Sequence, residues 1–133
     1  MSEAVEHRVQ VRWKDLDGLG HVNHAVVLTY LEEGRDVFLR EHGIPRDEYV
    51  VGRCTVSFNG EIDPAQEFVT VSCALKDIGR KSLTTTERII ASSGETVVEA
   101  EFGLVLWDAA ERKSRLISNA ERASLEPTEV VTG

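Results

Sequence analysis

Few cysteines, no long apolar run and a shortage of positive charge mark this chain, and each lack removes a class of function. Its only cysteines, Cys54 and Cys73, fall among alternating strand-like residues. Neither has a nucleophile's setting, and both are expected as buried free thiols. No stretch approaches the roughly 18 apolar residues that span a bilayer, and the opening MSEAVEH lacks the apolar segment of a secretory signal. A cytoplasmic, reducing location is the default expectation. The 15 basic residues are outnumbered by 23 acidic ones, for a net charge of −8, which argues against nucleic acid or an anionic membrane surface as the main partner. An anionic ligand must therefore meet a local basic cluster, with the repulsive field screened beyond roughly 8 Å at physiological salt.

The 133 residues suit a single domain, expected over residues 1–126, with a loose tail at 127–133. The segment from Arg12 to Arg35, RWKDLDGLGHVNHAVVLTYLEEGR, carries the clearest chemistry. An alternating strand (Val9, Val11 and Trp13 against Arg8, Gln10 and Arg12) leads to Asp15 and Asp17, and Gly18 and Gly20 then free the backbone for a sharp turn. A helix begins near Asn23 or His24. Its first turn leaves N–H groups without intrahelical partners, and the helix dipole favours negative charge there. A carboxylate close to aimed N–H donors suits attack on a carbonyl.

Helical spacing of Val27, Tyr30, Leu31, Gly34, Val37 or Phe38, and Leu39 predicts a helix over 24–42, with Glu32, Glu33, Asp36, Arg40 and Glu41 largely opposite. Gly43 and Pro45 stop it. Gly34 inside it costs roughly 1 kcal/mol relative to Ala, which points to a close approach to a sheet. Period-two alternation then predicts four strands, at about 50–61 (Cys54, Val56 and Phe58 on one face), 67–77 (Val69, Val71, Cys73, Leu75), 81–91 and 95–107 (Val98, Ala100, Phe102, Leu104, Leu106). Asp63 and Pro64, then Gly79, then Ser92 to Gly94 separate them. The third of these, with Thr84, Thr86, Glu87 and Arg88, is polar on both faces and expected to be partly wet. Read as a consecutive antiparallel meander joined by the first strand, these elements make an α+β fold, a five-stranded antiparallel sheet wrapped around one long helix. A short closing helix is expected in LISNAERASLEP, capped by Ser118 or Asn119 with Glu121 as capping-box partner.

The register of Asp15, Asp17, Gly20 and Val22, followed by a long helix, resembles the signature of hotdog-fold thioesterases of the 4-hydroxybenzoyl-CoA thioesterase type. His24 is similar to one branch, the acyl-CoA thioesterases related to the tol-pal-cluster enzyme. Gly20, His21, Val22 and Asn23 resemble the larger branch, which reads GHVNN, and Trp13 stands where the first branch carries Tyr. The resemblance implies that Asp17 is the catalytic carboxylate, acting as general base on water or as a nucleophile forming a mixed anhydride. It also implies that the helix start, near Asn23 to Ala25, polarises the thioester carbonyl. His24 is expected to orient water or bond the carboxylate, Asp15 to hold the turn, and His21 and Asn23 to shape it and cap the helix.

An acyl-CoA is the substrate so implied. Arg80 and Lys81 beside Ser82, in the turn IGRKS, are the first candidates for its nucleotide phosphates, and Arg112, Lys113 and Arg115 are the second. Tyr30, Leu31 and Phe58 are candidate acyl-pocket residues. The family implies sites between the protomers of a homodimer whose sheets join edge to edge, commonly doubled to a homotetramer. An acyl-carrier-protein thioesterase and a noncatalytic acyl-CoA-binding module are the competing readings. Asp15, Asp17, His21 and His24 also make a DxD plus HxxH pattern, but a turn holding Gly18 and Gly20 would have to gather them. No metal or cofactor is expected.

Overall fold

Alternation in the sequence becomes an antiparallel sheet. The computed structural model describes residues 4–18, 20, 22–63 and 65–126; His21, Pro64 and the expected tail at 127–133 lie outside them. Its elements are β1 (Val5–Gln10), α1 (His24–Glu41), β2 (Tyr49–Phe58), β3 (Phe68–Ile78), β4 (Ser82–Ile90), β5 (Thr96–Asp108), β6 (Lys113–Ser114) and α2 (Asn119–Leu125). The sheet runs β1-β3-β4-β5-β2, with β6 paired to β5. It wraps α1 in the hotdog arrangement, and the four strand ranges expected from residue 50 onward hold to within a few residues.

The meander is shorter than expected. Of the four strands expected in it, β3, β4 and β5 are consecutive neighbours, while β2 pairs with β5, from Tyr49 opposite Leu106 to Phe58 opposite Val98. The segment after β2 does not form a hairpin. It passes the start of α1, where Val22 N–H donates to the Ile62 carbonyl at 3.2 Å, and so reaches the far side of the sheet before β3 begins. Asp63 still forms a turn there, its Oδ1 accepting from Ala65 N–H at 2.7 Å.

Apolar faces of β3 and β5 form the core as expected: Val69, Val71, Cys73 and Leu75, with Val98, Ala100, Phe102, Leu104 and Leu106, are all buried. Against them lie Val27, Tyr30, Leu31, Phe38 and Leu39 of α1. Gly34 has the predicted role. A Cβ there would stand 2.3 Å from Val71 Cγ1 and 2.8 Å from Val71 Cβ, so only glycine lets helix and strand lie this close.

Two burial expectations are overturned, those for Cys54 and Asp36. Cys54 is exposed whereas Cys73 is buried, because α1 packs mainly on β1, β3 and β4 and leaves most of the inner face of edge strand β2 beyond Tyr49 uncovered. The β4 strand is partly wet as expected, with Thr86 and Arg88 exposed on its outer face, while Thr85 and Glu87 on the helix side are buried. Glu87 accepts from Arg35 Nε at 2.9 Å and Nη2 at 3.0 Å and from Thr85 Oγ1 at 2.6 Å, and the guanidinium lies 3.7 Å over the Phe102 ring. Asp36, expected on the solvent side of α1, is buried and accepts from the Tyr49 hydroxyl at 2.6 Å.

The closing helix follows its sequence signal. Ser118 Oγ accepts from Glu121 N–H at 3.1 Å, and Glu121 Oε1 accepts from Ser118 N–H at 2.8 Å. Arg115 forks onto Glu121 with two bonds of 2.8 Å and reaches Glu48 at 3.1 Å. That arginine, part of the second basic group, is thus committed to structure.

Candidate active site

Between β1 and α1 the chain is tied down at Asp15. A 3-10 turn covers Trp13–Asp15 and ends the strand early, so Trp13 is not on the apolar face; it stands 84% exposed. Asp15 is buried and its Oδ2 accepts from Arg12 N–H at 2.9 Å and from the Tyr30 hydroxyl on the helix. The Arg12 guanidinium lies 3.6 Å away. Burial pushes this carboxyl up, but the Tyr30 and Arg12 contacts outweigh it and hold it below the usual aspartate range. Burial and the same carboxylate raise the Tyr30 phenol. The Asp15 carbonyl also accepts from Asn23 N–H at 3.0 Å, which fixes the loop to the helix start. Asp15 is therefore the anchor of the turn.

Asp17 sits two residues on, half-buried. Its carbonyl accepts from Gly20 N–H at 3.1 Å, and Gly20 has φ +83, a left-handed conformation that glycine adopts without strain. Trp13, Lys14, Leu16, Asp17 and Gly20 line a depression of about 380 Å³. A second depression, of about 400 Å³, lies on the outer face of the sheet among Thr55, Ser57, Thr86, Arg88, Glu99 and Glu101. Its lining is made of strand residues alone, whereas the first holds Asp17.

The helix start narrows the set of donors. Asn23 caps α1, its Oδ1 accepting from Ala25 N–H at 2.8 Å, while its carbonyl accepts from Val26 and Val27. The Asn23 and Ala25 amides, expected to face a carbonyl, thus already have partners inside the chain. The His24 amide has none among the described residues. The His24 ring stacks on Phe58, with centroids 4.1 Å apart and planes at 22°, which brings together two residues distant in sequence.

Other candidates fall elsewhere. Tyr30 and Leu31 are wholly buried at 0% exposure, so neither presents surface to a ligand in this protomer. Arg80, Lys81 and Ser82 are exposed at the β3–β4 turn, the opposite end of the sheet from Asp17. Ten steps along β3, at about 3.3 Å each, separate those ends by roughly 33 Å. Among the described residues no three His, Cys, Asp or Glu side chains converge as metal ligands.

Sequence reading missed the Arg35–Glu87 pair and the Tyr30–Asp15 bond. Each had a signal. Arg35 lies one turn from Leu31 and Leu39 on the apolar stripe, Glu87 alternates with Leu83 and Ile89, and a buried tyrosine needs a partner for its hydroxyl.

Known proteins share this fold. The chain is 30% identical to a thioesterase from Thermus thermophilus whose structure holds coenzyme A and Zn, with TM-score 0.81 over 92% of this chain and 91% of that one. A predicted thioesterase from Bacillus stearothermophilus superposes with TM-score 0.84 at 23% identity, covering 93% and 95%. A mutant of 4-hydroxybenzoyl-CoA thioesterase complexed with 4-hydroxybenzoyl-CoA does so with TM-score 0.83 at 14% identity, covering 93% and 99%; these last two likenesses speak to fold. No curated protein matches by sequence. The family model of the thioesterase-like superfamily matches residues 11–128, so the chain belongs to that superfamily and is a thioester hydrolase.

Proposed function

We propose that the protein hydrolyses an acyl-CoA to the free carboxylic acid and CoA at the junction of the Asp17 turn and α1. The observation that carries this reading is the half-buried Asp17, held on a pinned turn a few residues from a helix-start amide that has no acceptor among the described residues. As general base, the carboxylate takes a proton from water as its oxygen bonds to the thioester carbon. As nucleophile, it bonds to that carbon itself and leaves a mixed anhydride for water to open. Either way a tetrahedral oxyanion forms, the His24 N–H donates to it, and collapse breaks the C–S bond to release the thiolate. The His24 imidazole, held against Phe58, orients water in this reading. Hydrolysis of a panel of short, medium and aromatic acyl-CoA thioesters tests this directly; binding without turnover across the panel would favour an acyl-CoA-binding module.

The uncovered inner face of β2 supports a homodimer. Val51 is 45% and Phe58 42% exposed, Cys54 is exposed, and the strand's outer edge is unpaired within the sheet. Such an edge invites a second copy. Antiparallel pairing of β2 with its copy about a two-fold axis covers this strip, and it reverses the copy's strands. The copy's β3–β4 turn then lies at the end where this chain's Asp17 sits. Light scattering should report a dimer or larger assembly; a stable, fully active monomer would remove the proposal.

In such a dimer Arg80, Lys81 and Ser82 of one chain meet the nucleotide of CoA bound at the other. Replacing Arg80 and Lys81 together with Ala should raise KM for an acyl-CoA far more than for the pantetheine thioester of the same acid. Equal effects on both substrates would mean that the turn does not read the nucleotide.

A further inference from the structure

The β3–β4 turn is held more firmly than a hairpin tip requires. Gly79 N–H donates to the Ser82 carbonyl at 2.8 Å, and a Cβ on Gly79 would crowd Ser82 Oγ at 2.8 Å. The hairpin's next three carbonyls then each accept a bond from outside the turn. Arg122 Nη2, on α2, donates to Gly79 at 2.7 Å. Ile117 N–H, in the segment leading to α2, donates to Arg80 at 2.9 Å, and Leu106 N–H of β5 donates to Lys81 at 2.8 Å.

Two of the three bonds come from the C-terminal segment, which is itself fixed. Leu125 is fully buried, Ser124 Oγ lies 2.7 Å from His42 Nδ1 at the end of α1, and the Arg115 fork on Glu121 secures the first turn of α2. Arg122 is thus a strut from an anchored helix to a basic turn whose own side chains, Arg80 and Lys81, stay exposed.

We propose that Arg122 is a positioning residue for the nucleotide phosphates of CoA, holding the Gly79–Ser82 backbone so that Arg80 and Lys81 are presented ready-ordered. The proposal rests on reading that turn as the nucleotide subsite. A turn ordered before the ligand arrives does not lose that freedom on binding, and affinity rises accordingly. In a chain of net charge −8, two cations on a drifting tip are a weak trap for a polyanion; the same two on a fixed tip concentrate their field.

Calorimetric titration with coenzyme A and with pantetheine tests it in the full-length protein, using Arg122→Ala, Arg122→Lys and the Arg80→Ala/Lys81→Ala double variant. Arg122→Ala is expected to weaken coenzyme A binding about three- to tenfold and leave pantetheine binding unchanged, and Arg122→Lys, which keeps a donor within reach of Gly79, is expected to restore it. Wild-type affinity for coenzyme A in Arg122→Ala, with affinity lost in the double variant, would overturn the role of Arg122 and leave the subsite standing. Loss of both ligands in Arg122→Ala would mark a general structural role and overturn it equally. Undiminished coenzyme A binding by the double variant would remove the subsite, and Arg122's role with it.

Discussion

Replacing Asp17 with Asn should lower kcat by about 10² to 10⁴, the usual contribution of a positioned general base, while substrate binding changes little. Asparagine keeps the volume and some hydrogen bonding but can neither take a proton from water nor attack a carbonyl. Steady-state kinetics on the best thioester of the panel reads the effect. Wild-type turnover by a folded oligomer would discard the carboxylate mechanism and leave His24 as the leading candidate. Asp15→Asn is the control, because that carboxylate anchors the turn through Tyr30 and Arg12 and does not face the depression. It should reduce stability by roughly 1.5–3 kcal/mol, the range for hydrogen bonds to a charged group. The sign with pH follows from its lowered pKa. The contribution is present above the unfolded aspartate value and is lost as pH falls through the folded one, so the difference between Asp15→Asn and wild type should shrink in acid.

Glu87→Gln should cost about 3–5 kcal/mol, because it leaves the Arg35 guanidinium uncompensated in the core. Both side chains are almost fully buried, at 2% and 0% exposure, so water cannot substitute for the lost partner. Set against a typical domain stability of about 5–15 kcal/mol, that is a large share. Replacing both members with apolar residues, Arg35→Met with Glu87→Leu, should recover most of the loss, since a well-packed apolar pair is often as stable as a buried ion pair. Urea unfolding of the single and double variants measures this. A single variant as stable as wild type would show that the pair contributes little to folding.

How much was legible in the sequence depends on the range of the interaction that decides each feature. Local signals read true: Asn23 and Ser118 as caps, Gly34 at a close approach, and the apolar faces of β3 and β5. Alternation assigns a residue to a face but does not say whether anything covers that face. Cys54 and Phe58 do lie on the helix side of β2, yet α1 packs on other strands and leaves them exposed. Strand order was equally out of reach, because the partner of β2 is set by a route past the helix start rather than by the turn after it. The site was legible only at the level of the Asp17 loop and the cap. The Ala25 amide is taken by the Asn23 cap itself, but that the Asn23 amide is also occupied depends on Asp15 folding back, held by the Tyr30 hydroxyl from the second turn of α1.

Gly34 acts as a fulcrum for the chemistry. It lies ten residues from His24, about 15 Å along a helix that rises about 1.5 Å per residue, and its missing side chain sets how deeply α1 seats on Val71. A rigid rod that is raised at one bearing moves at its free end. The distance between the His24 amide and Asp17 is therefore governed partly by a hydrogen atom in the middle of the core. Displacements near 1 Å can change rates by about 10²-fold, so the amide proposed to meet the oxyanion is levelled from a place no substrate reaches.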